Sequence, residues 1–258
     1  MRTKLARHAR ECDWVLVGAD AQFGGAWSSF EGRVGRLRRG IDTTLFSPRR
    51  RDRARLAETY GVAPDRLVLL FVGRVDIGKA SMTFADAVRA LLDRGLPVHA
   101  IVAGTGNQAD AVKARLGANV TMAGAVPQRE LASLYASADL LVFPSRIEIA
   151  PNVVLEAKAS GLPVVVAPQG GGVFVHQPGI DGVVVDDPSP AAWTDAIAAL
   201  IADPARRQAR AAAALDDITR RHPSWDQVLA EDLLPVWQSA RRHAIETHGA
   251  CSPLAFSS

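Results

Sequence analysis

Two glutamates and an asparagine within nine residues are the pattern with the clearest chemical content in this sequence. The segment PSRIEIAPNVVLEAKASG carries Glu148 in a loop, then Asn152 and Glu156 four residues apart on one face of a predicted helix. The helix start at Pro151–Val153 offers free backbone N–H groups and a positive dipole end to an anion. The pattern predicts a phosphate at this helix start, with carboxylates gripping hydroxyls on either side. A capped helix with a surface glutamate fits the same spacing.

A cationic turn, VGRVDIGKA, contributes a second set of candidates: Gly73, Arg74 and Lys79. The glycine lets the backbone approach a ligand, and two cations five residues apart can converge on one anionic group. A solvated turn is the alternative interpretation, because arginine and lysine are common in exposed loops.

Two glycine-rich turns complete the candidate sites. The stretch Gly104–Ala109 matches G-x-G-x-x-A after a strand, which is the fingerprint of a dinucleotide site. That fingerprint requires an acidic residue about 20 positions on, and the next strand ends in Met122, Ala123 and Gly124 instead. An NAD-dependent enzyme is therefore the minor alternative, and another kind of nucleotide pocket is favoured. Gly170–Gly172 leave room for a ligand, or form a plain flexible loop.

Alternating strands and helices must position these turns. From residue 67 the sequence alternates without a break, giving about six strands up to residue 186 and a last helix at roughly 225–245. This rhythm predicts an α/β fold with a doubly wound, parallel, Rossmann-like sheet. The strands are continuous apolar runs, as expected when both faces of a sheet are buried. Ligands of such sheets bind at the carboxyl ends of the strands, which is where the candidate turns lie.

The composition narrows the class of protein. With 48% hydrophobic and 22% charged residues among 258, disorder, collagen and coiled coil are excluded for the whole chain. No stretch reaches the ~20 apolar residues of a membrane span, and the apolar run near the N-terminus is too short for a signal peptide. Cys12 and Cys251 lie too far apart for a disulfide framework. We therefore expect a cytoplasmic protein.

Basic residues are concentrated at the N-terminal side. Residues 1–56 hold 13 lysines and arginines against 6 acidic residues, with clusters at 32–40 and 48–55. No aromatic residues are interleaved to stack on bases, which argues against nucleic acid. An anionic membrane surface stays open as a partner, as does a plain solvated face.

Taken together, the motifs resemble a known family. The E-x7-E pattern from Glu148 to Glu156 resembles the signature of the family 4 retaining glycosyltransferases, which have the GT-B fold. Further segments fall in that family's order, over roughly residues 10–245: RRGIDTTLFSP, VGRVDIGK, AGTGNQ, NVTMAGAVPQRELASLYASADLLVFPS and GIDGVVV.

The resemblance implies an enzyme that transfers a sugar from a nucleotide-diphosphate sugar with retention of configuration. It implies an acceptor that is a sugar, a lipid-linked sugar or a polysaccharide, in cell-surface polysaccharide or glycolipid synthesis. No metal is expected, because cations of the protein neutralise the leaving group and the sequence has no Asp-rich metal motif. The alternative is a non-catalytic nucleotide-sugar-binding subunit that needs a partner for the acceptor half.

Site roles follow from the resemblance, residue by residue. Arg74 and Lys79 would neutralise the diphosphate, and Glu156 would hold the ribose hydroxyls. Glu148 would face the transferred sugar, while Asn152 would hold phosphate and sugar. Arg74, Lys79 and Glu148 are the expected catalytic residues. The expected substrate site also includes Gly73, Gly104, Val126 near the base, Pro151 and Val153.

The sequence departs from the family pattern at several places. Ala80 stands where the family has glycine, Phe174 where it often has glutamate, and Lys158 where it has an apolar residue. These changes bear on the choice of sugar more than on donor binding.

The resemblance also implies a domain organisation. Residues 1–40 would be a remnant of the N-terminal acceptor-side domain with its linker, and 41–224 the nucleotide-sugar-binding domain. Residues 225–246 would form a helix packing toward the N-terminal side, followed by a disordered tail at 247–258.

Overall fold

The computed structural model describes residues 12, 14–18, 34–148 and 151–248, with only the backbone for 244–248. The chain divides into two compact units, which we call the terminal unit (1–40 with 223–258) and the central unit (41–222). The predicted tail lies outside the described residues from 249 onward, whereas 247 and 248 still belong to the last helix. The assignment of these segments to acceptor and donor domains stays a prediction.

The strands in the described part of the chain form two parallel sheets. They are β1 (Val15–Val17), β2 (Val34–Arg36), β3 (Leu67–Val72), β4 (Val98–Ala103), β5 (Val120–Gly124), β6 (Leu140–Phe143), β7 (Val164–Val166) and β8 (Val183–Val184). Strands β1 and β2 pair in the terminal unit, and the other six form the sheet of the central unit in the order β5-β4-β3-β6-β7-β8. The predicted six strands and their parallel, doubly wound arrangement are confirmed.

Helices follow the strands in alternation. They are α1 (Arg53–Tyr60), α2 (Ser81–Asp93), α3 (Ala109–Leu116), α4 (Gln128–Ser137), α5 (Asn152–Ala159), α6 (Pro190–Ala202), α7 (Pro204–Arg221), α8 (Trp225–Val228) and α9 (Leu234–His248). A π-helical turn at Leu229–Leu233 joins the last two. None of the helices that the structure describes combines the length and hydropathy that crossing a membrane would require.

Strand β3 shows why this sheet is buried on both faces. Its side chains alternate between two apolar clusters, with Leu70 in the cluster that holds Tyr135 and Phe71 in the cluster that holds Phe84. The Phe71 and Phe84 ring centroids lie 5.3 Å apart. Because a strand places successive side chains on opposite faces, an unbroken apolar run fits only a central strand covered on both sides.

Two helical features differ from the sequence prediction. Helix α1 lies before residue 67, where the predicted alternation of strands and helices begins, and it was not predicted because it buries only Leu56 and so lacks an apolar stripe. Asp52 caps its start, and Gly61 ends it in the left-handed conformation. The sequence predicts helical structure from about Ser189 to Arg221, and the structure divides it into two helices at Asp203, which caps α7, with Pro204 in its first turn.

In the terminal unit, one arginine joins segments far apart in sequence. The Arg38 guanidinium donates to both carboxylate oxygens of Asp232, at 3.0 and 2.7 Å, and to Glu231 at 2.6 Å. The hydrogen bonds from Arg38 hold the pKa of Asp232 below its usual value. Gly40 has room only for hydrogen, because a Cβ there would lie 2.7 Å from the Trp225 ring.

A buried charge network ties three segments of the central unit together. Lys158 on α5 is fully buried, and its ammonium donates to the Phe174 carbonyl at 2.6 Å, to Asp217 at 2.6 Å and to Asp181 at 3.0 Å. Burial alone would raise the pKa of Asp217, but hydrogen bonds from Lys158 and His176 lower it below its usual value. The lysine that departs from the family pattern therefore has partners that satisfy its charge.

Replacing Lys158 by methionine should destabilise the protein by about 3–5 kcal/mol, because it removes the buried cation that Asp181 and Asp217 share and leaves Asp217 with the more exposed Arg221. Urea unfolding measures this loss. The variant Lys158→Met/Asp181→Asn/Asp217→Asn should recover much of the stability, since no unpaired buried charge remains. Equal stability of Lys158→Met and the unchanged protein would contradict this account.

Ala80→Gly should stabilise the protein by about 0.5–1 kcal/mol, the left-handed strain of alanine less the backbone entropy of glycine. Ala80 has φ 52° and ψ 42°, which makes it the non-glycine residue with positive φ in the described chain. The matched control is Ala199→Gly on the exposed side of α6, which should lose about 1 kcal/mol. Urea unfolding of both variants shows whether each substitution raises or lowers the free energy of unfolding. A lower free energy of unfolding in both variants would refute the strain argument.

Candidate functional site

The strand order places a crevice at the carboxyl edge of the central sheet. Strand β3 pairs with β4 on one side and with β6 on the other, so the order of connection reverses between β3 and β6. Ligands of open α/β sheets bind at such a reversal. The turns that leave β3 and β6, at 73–80 and 144–148, are the ones that carry the predicted charged residues.

Asp76 builds the turn that follows β3. Its carboxylate accepts the Lys79 backbone N–H at 2.9 Å and caps the short 3-10 helix Ile77–Lys79. The other carboxylate oxygen lies 3.1 Å from the Arg74 guanidinium. Arg74 is 74% exposed, so this surface ion pair is weak and the guanidinium can turn toward a ligand.

Lys79 and Glu148 meet across the crevice although 69 residues separate them. The Lys79 ammonium contacts Glu148 Oε1, and the same oxygen accepts the Ser145 hydroxyl at 2.7 Å. The ammonium also lies 5.8 Å from the Phe143 ring centroid, within the range of a cation–π contact. Both charged side chains are mostly buried, at 21% and 13% exposure, so solvent screens this pair less than an exposed one.

Helix α5 contributes two features to the site, its uncapped first turn and the carboxylate of Glu156. Pro151 precedes the helix, and no described side chain caps the first turn at Asn152 and Val153, which leaves its N–H groups for a ligand or solvent. One turn further, Glu156 accepts the hydroxyl of the fully buried Tyr135 at 3.0 Å. Burial raises the pKa of Glu156, and the Tyr135 hydrogen bond partly opposes that rise.

Gly104 and Gly106 allow the turn after β4 to pack closely against the turn after β3. A Cβ at Gly104 would lie 1.8 Å from the Gly73 carbonyl oxygen, and one at Gly106 would lie 2.2 Å from that of Val75. Backbone hydrogen bonds hold the turns together, including the Gly73 N–H to the Ala103 carbonyl at 3.0 Å. In a dinucleotide fold the glycine fingerprint follows the first strand of the βαβ unit, whereas here it follows the second. The packing role weakens the NAD alternative further.

The glycine loop after β7 closes another side of the crevice. A Cβ at Gly170 would lie 1.6 Å from the Ser145 carbonyl oxygen, and one at Gly171 would lie 2.9 Å from Val154 on α5. This loop therefore touches both the β6 exit and the helix that carries Glu156. Val126 lies in the turn between β5 and α4, half-buried against the apolar cluster around Tyr135.

The structure brings together most of the predicted site residues in small groups. It joins Lys79 to Glu148 and Gly73 to Gly104, and it sets Pro151, Asn152 and Val153 at an uncapped helix start. Arg74 contacts Asp76 rather than the other predicted residues.

The sequence prediction missed three residues that hold this site: Asp76, Ser145 and Tyr135. A signal for Asp76 existed, since an aspartate three residues before Lys79 is a helix-cap spacing. Ser145 and Tyr135 had none, because their partners are identified only by contacts in the folded chain.

A protein-family model matches just over half of this chain. Residues 66–203 match the family described as "Glycosyl transferases group 1". The range covers the whole alternation from β3 to α6, including every predicted catalytic residue.

Several curated relatives share the description D-inositol 3-phosphate glycosyltransferase. One from Catenulispora acidiphila is 36% identical over 92% of this chain and 57% of the relative. One from Segniliparus rotundus is 35% identical over 83% of this chain and 48% of the relative. The chain spans about half the length of the curated relatives it matches.

Solved structures share the fold. Anabaena HepE, in complex with UDP and glucose, is 21% identical with a TM-score of 0.72, over 94% of this chain and 66% of that one. The C-terminal domain of the group 1 protein LpcC from Francisella tularensis is 23% identical with a TM-score of 0.64. That match covers 71% of this chain and 99% of the domain.

Tyr135→Phe should raise the pKa of Glu156 further, because the lost hydroxyl stabilises the charged carboxylate. Carboxyl NMR titration measures this shift. Tyr60→Phe is the matched control: its hydroxyl lies on α1, away from Glu156, and the Glu156 pKa should not move. An unchanged Glu156 pKa in Tyr135→Phe would show that the hydrogen bond does not set the state of this carboxylate.

Proposed function

This chain belongs to the group 1 glycosyl transferases, and we propose that it supplies the donor-binding half of an enzyme that transfers a sugar from a nucleotide-diphosphate sugar with retention of configuration. The family and the GT-B type of fold are those that the motifs predicted. The observation that carries the proposal is the contact of Lys79 with Glu148 at the sheet reversal, beside the uncapped start of α5.

The donor's diphosphate fits the charges of this crevice. The start of α5 offers N–H groups and a positive dipole end, and Lys79 and Arg74 offer two cations from the facing turn. In the proposal a diphosphate draws the Lys79 ammonium away from Glu148. The negative charge of the bound diphosphate is then balanced by Lys79, Arg74 and the start of α5.

Bond cleavage in the donor creates two charges of opposite sign. The sugar becomes oxocarbenium-like while negative charge grows on the departing diphosphate. Lys79, Arg74 and the helix start stabilise the leaving group, so this scheme needs no metal. Glu148, released from Lys79, faces the sugar, and Glu156 accepts hydrogen bonds from the ribose hydroxyls.

Support for a nucleotide donor also comes from a solved relative of the same fold, whose crystals hold UDP and glucose. We extend the proposal to a sugar, lipid-linked sugar or polysaccharide acceptor, in cell-surface polysaccharide or glycolipid synthesis at the cytoplasmic face of the membrane. The relatives named for inositol phosphate make a phosphorylated cyclitol a further acceptor class to assay.

A non-catalytic nucleotide-sugar-binding subunit is the second candidate function. The observation that favours it is that the chain matches only about half of its relatives' length. Sugar transfer or donor hydrolysis by this chain alone would exclude it.

Lys79→Ala should weaken nucleotide-diphosphate binding about tenfold to a hundredfold, the effect of one charge-assisted hydrogen bond. Isothermal titration calorimetry with UDP, GDP and ADP measures the affinity and identifies the base. Arg74→Ala should lower the affinity less, since its side chain is mostly exposed.

Glu148→Gln is the matched control for this titration. It removes the carboxylate that neutralises Lys79, so diphosphate affinity should hold or rise while reaction with the sugar donor falls. The proposed donor site would be wrong if none of the three nucleotides binds, or if Lys79→Ala leaves the binding constant unchanged.

A further inference from the structure

A second concave site lies outside the donor crevice, between helices α1 and α4. It encloses about 220 Å³, with Leu56 and Leu134 among its apolar lining. Three arginines reach it: Arg50 just before α1, Arg55 on α1 and Arg129 on α4. None of its lining residues belongs to the turns that leave β3, β4, β6 or β7. We call it the arginine cleft.

The arginines of this region divide into two kinds. Arg53 is half-buried, pairs with Asp139 at 3.0 Å and donates to the Ser137 carbonyl at 3.1 Å. By contrast, Arg50, Arg55 and Arg129 are exposed and make no ion pair with any described residue. The first kind holds α1 to the sheet, and the second leaves guanidinium groups free at the cleft.

The acidic residues of the cleft are engaged locally. Asp52 accepts the Arg55 backbone N–H at 2.9 Å as the cap of α1. Glu130 lies close enough to Tyr60 to contribute, after burial, to a raised pKa of that phenol. Three cations against two carboxylates leave the lining with a net positive charge before any ligand enters.

Ligand chemistry follows from the donors that converge there. A guanidinium is a planar fork that pairs bidentately with phosphate or carboxylate oxygens. Three such groups line one cleft, and together they offer more donors than the two oxygens of a carboxylate can accept, whereas a phosphate or diphosphate has more acceptor oxygens. The hydroxyls of Thr59 and Ser133 add neutral donors at the same cleft.

We propose that the arginine cleft binds a terminal phosphate or diphosphate group, carried either by a soluble compound or by a phospholipid headgroup. The basic run at 48–55, which the donor site does not use, then has a ligand. The inference goes beyond the proposed function, because it rests on residues outside the donor crevice.

The test separates this site from the donor crevice by working in the full chain with Arg74→Ala/Lys79→Ala. Calorimetry with inorganic pyrophosphate should still detect binding in that background. Adding Arg50→Gln/Arg55→Gln should weaken it about tenfold or more, the loss of charge-assisted hydrogen bonds. Adding Lys113→Gln/Arg206→Gln, which removes the same charge from exposed positions elsewhere, should leave it unchanged.

A second arm identifies the source of the phosphate. Cosedimentation with phosphatidylcholine vesicles compares phosphatidic acid, which has a terminal phosphate, with phosphatidylglycerol, which does not. Sedimentation with phosphatidic acid that Arg50→Gln/Arg55→Gln abolishes assigns a lipid headgroup. Pyrophosphate binding without sedimentation assigns a soluble ligand.

Three results would overturn the proposal. The first is the absence of both pyrophosphate binding and sedimentation, and the second is equal affinity in the cleft and control variants. The third is equal sedimentation with both anionic lipids, which would indicate surface charge rather than a phosphate site. Arg129→Gln provides an independent variant on α4 should the double variant unfold. None of these results depends on whether UDP binds the donor crevice.

Discussion

The side-by-side pairing of β3 and β6 is the constraint on which the candidate site depends. These strands are far apart in sequence, yet Leu69 and Leu70 pair with Leu140 and Leu141. The chain continues from β3 to β4 on one side of this pair and from β6 to β7 on the other. The two connections therefore diverge, which leaves a crevice at the carboxyl ends of β3 and β6. Everything that meets there, including Lys79 and Glu148, does so because two buried apolar strands share a register. A change in the register of β3 against β6 would displace the turns that carry Lys79 and Glu148 relative to each other.

Around that crevice, glycines decide how close the turns can come. Gly104, Gly106 and Gly170 each face a carbonyl oxygen of a neighbouring turn at distances that exclude any side chain. Close backbone packing leaves less freedom for the charged side chains that the turns carry. A preorganised site pays little reorganisation cost when its ligand arrives, which is the property that a leaving-group site requires.

Short polar contacts then fix individual groups. Asp76 shapes the Lys79 turn, Ser145 holds the Glu148 carboxylate, and Tyr135 holds that of Glu156. Below them, Lys158 anchors α5 to the segment after the glycine loop and to α7. That network can hold a fully buried charge only because the Lys158 ammonium has both carboxylate and carbonyl partners. The arginine cleft shows the opposite arrangement, in which cations at the surface form no ion pair with a described residue.

The sequence by itself determined the layers of the fold, the parallel sheet and the family. Strand and helix periodicities are local, and six motifs in order, such as the E-x7-E pattern, can be recognised in the sequence alone. It also determined which turns carry charge. Only the tertiary structure decided that Lys79 contacts Glu148, that Tyr135 contacts Glu156, and that Lys158 is a satisfied buried cation. These pairs lie many residues apart, so their contact depends on strand register and helix packing, which no local pattern encodes. Helix α1 was missed for a related reason: it buries a single side chain, and its position is fixed by caps and long-range arginine contacts.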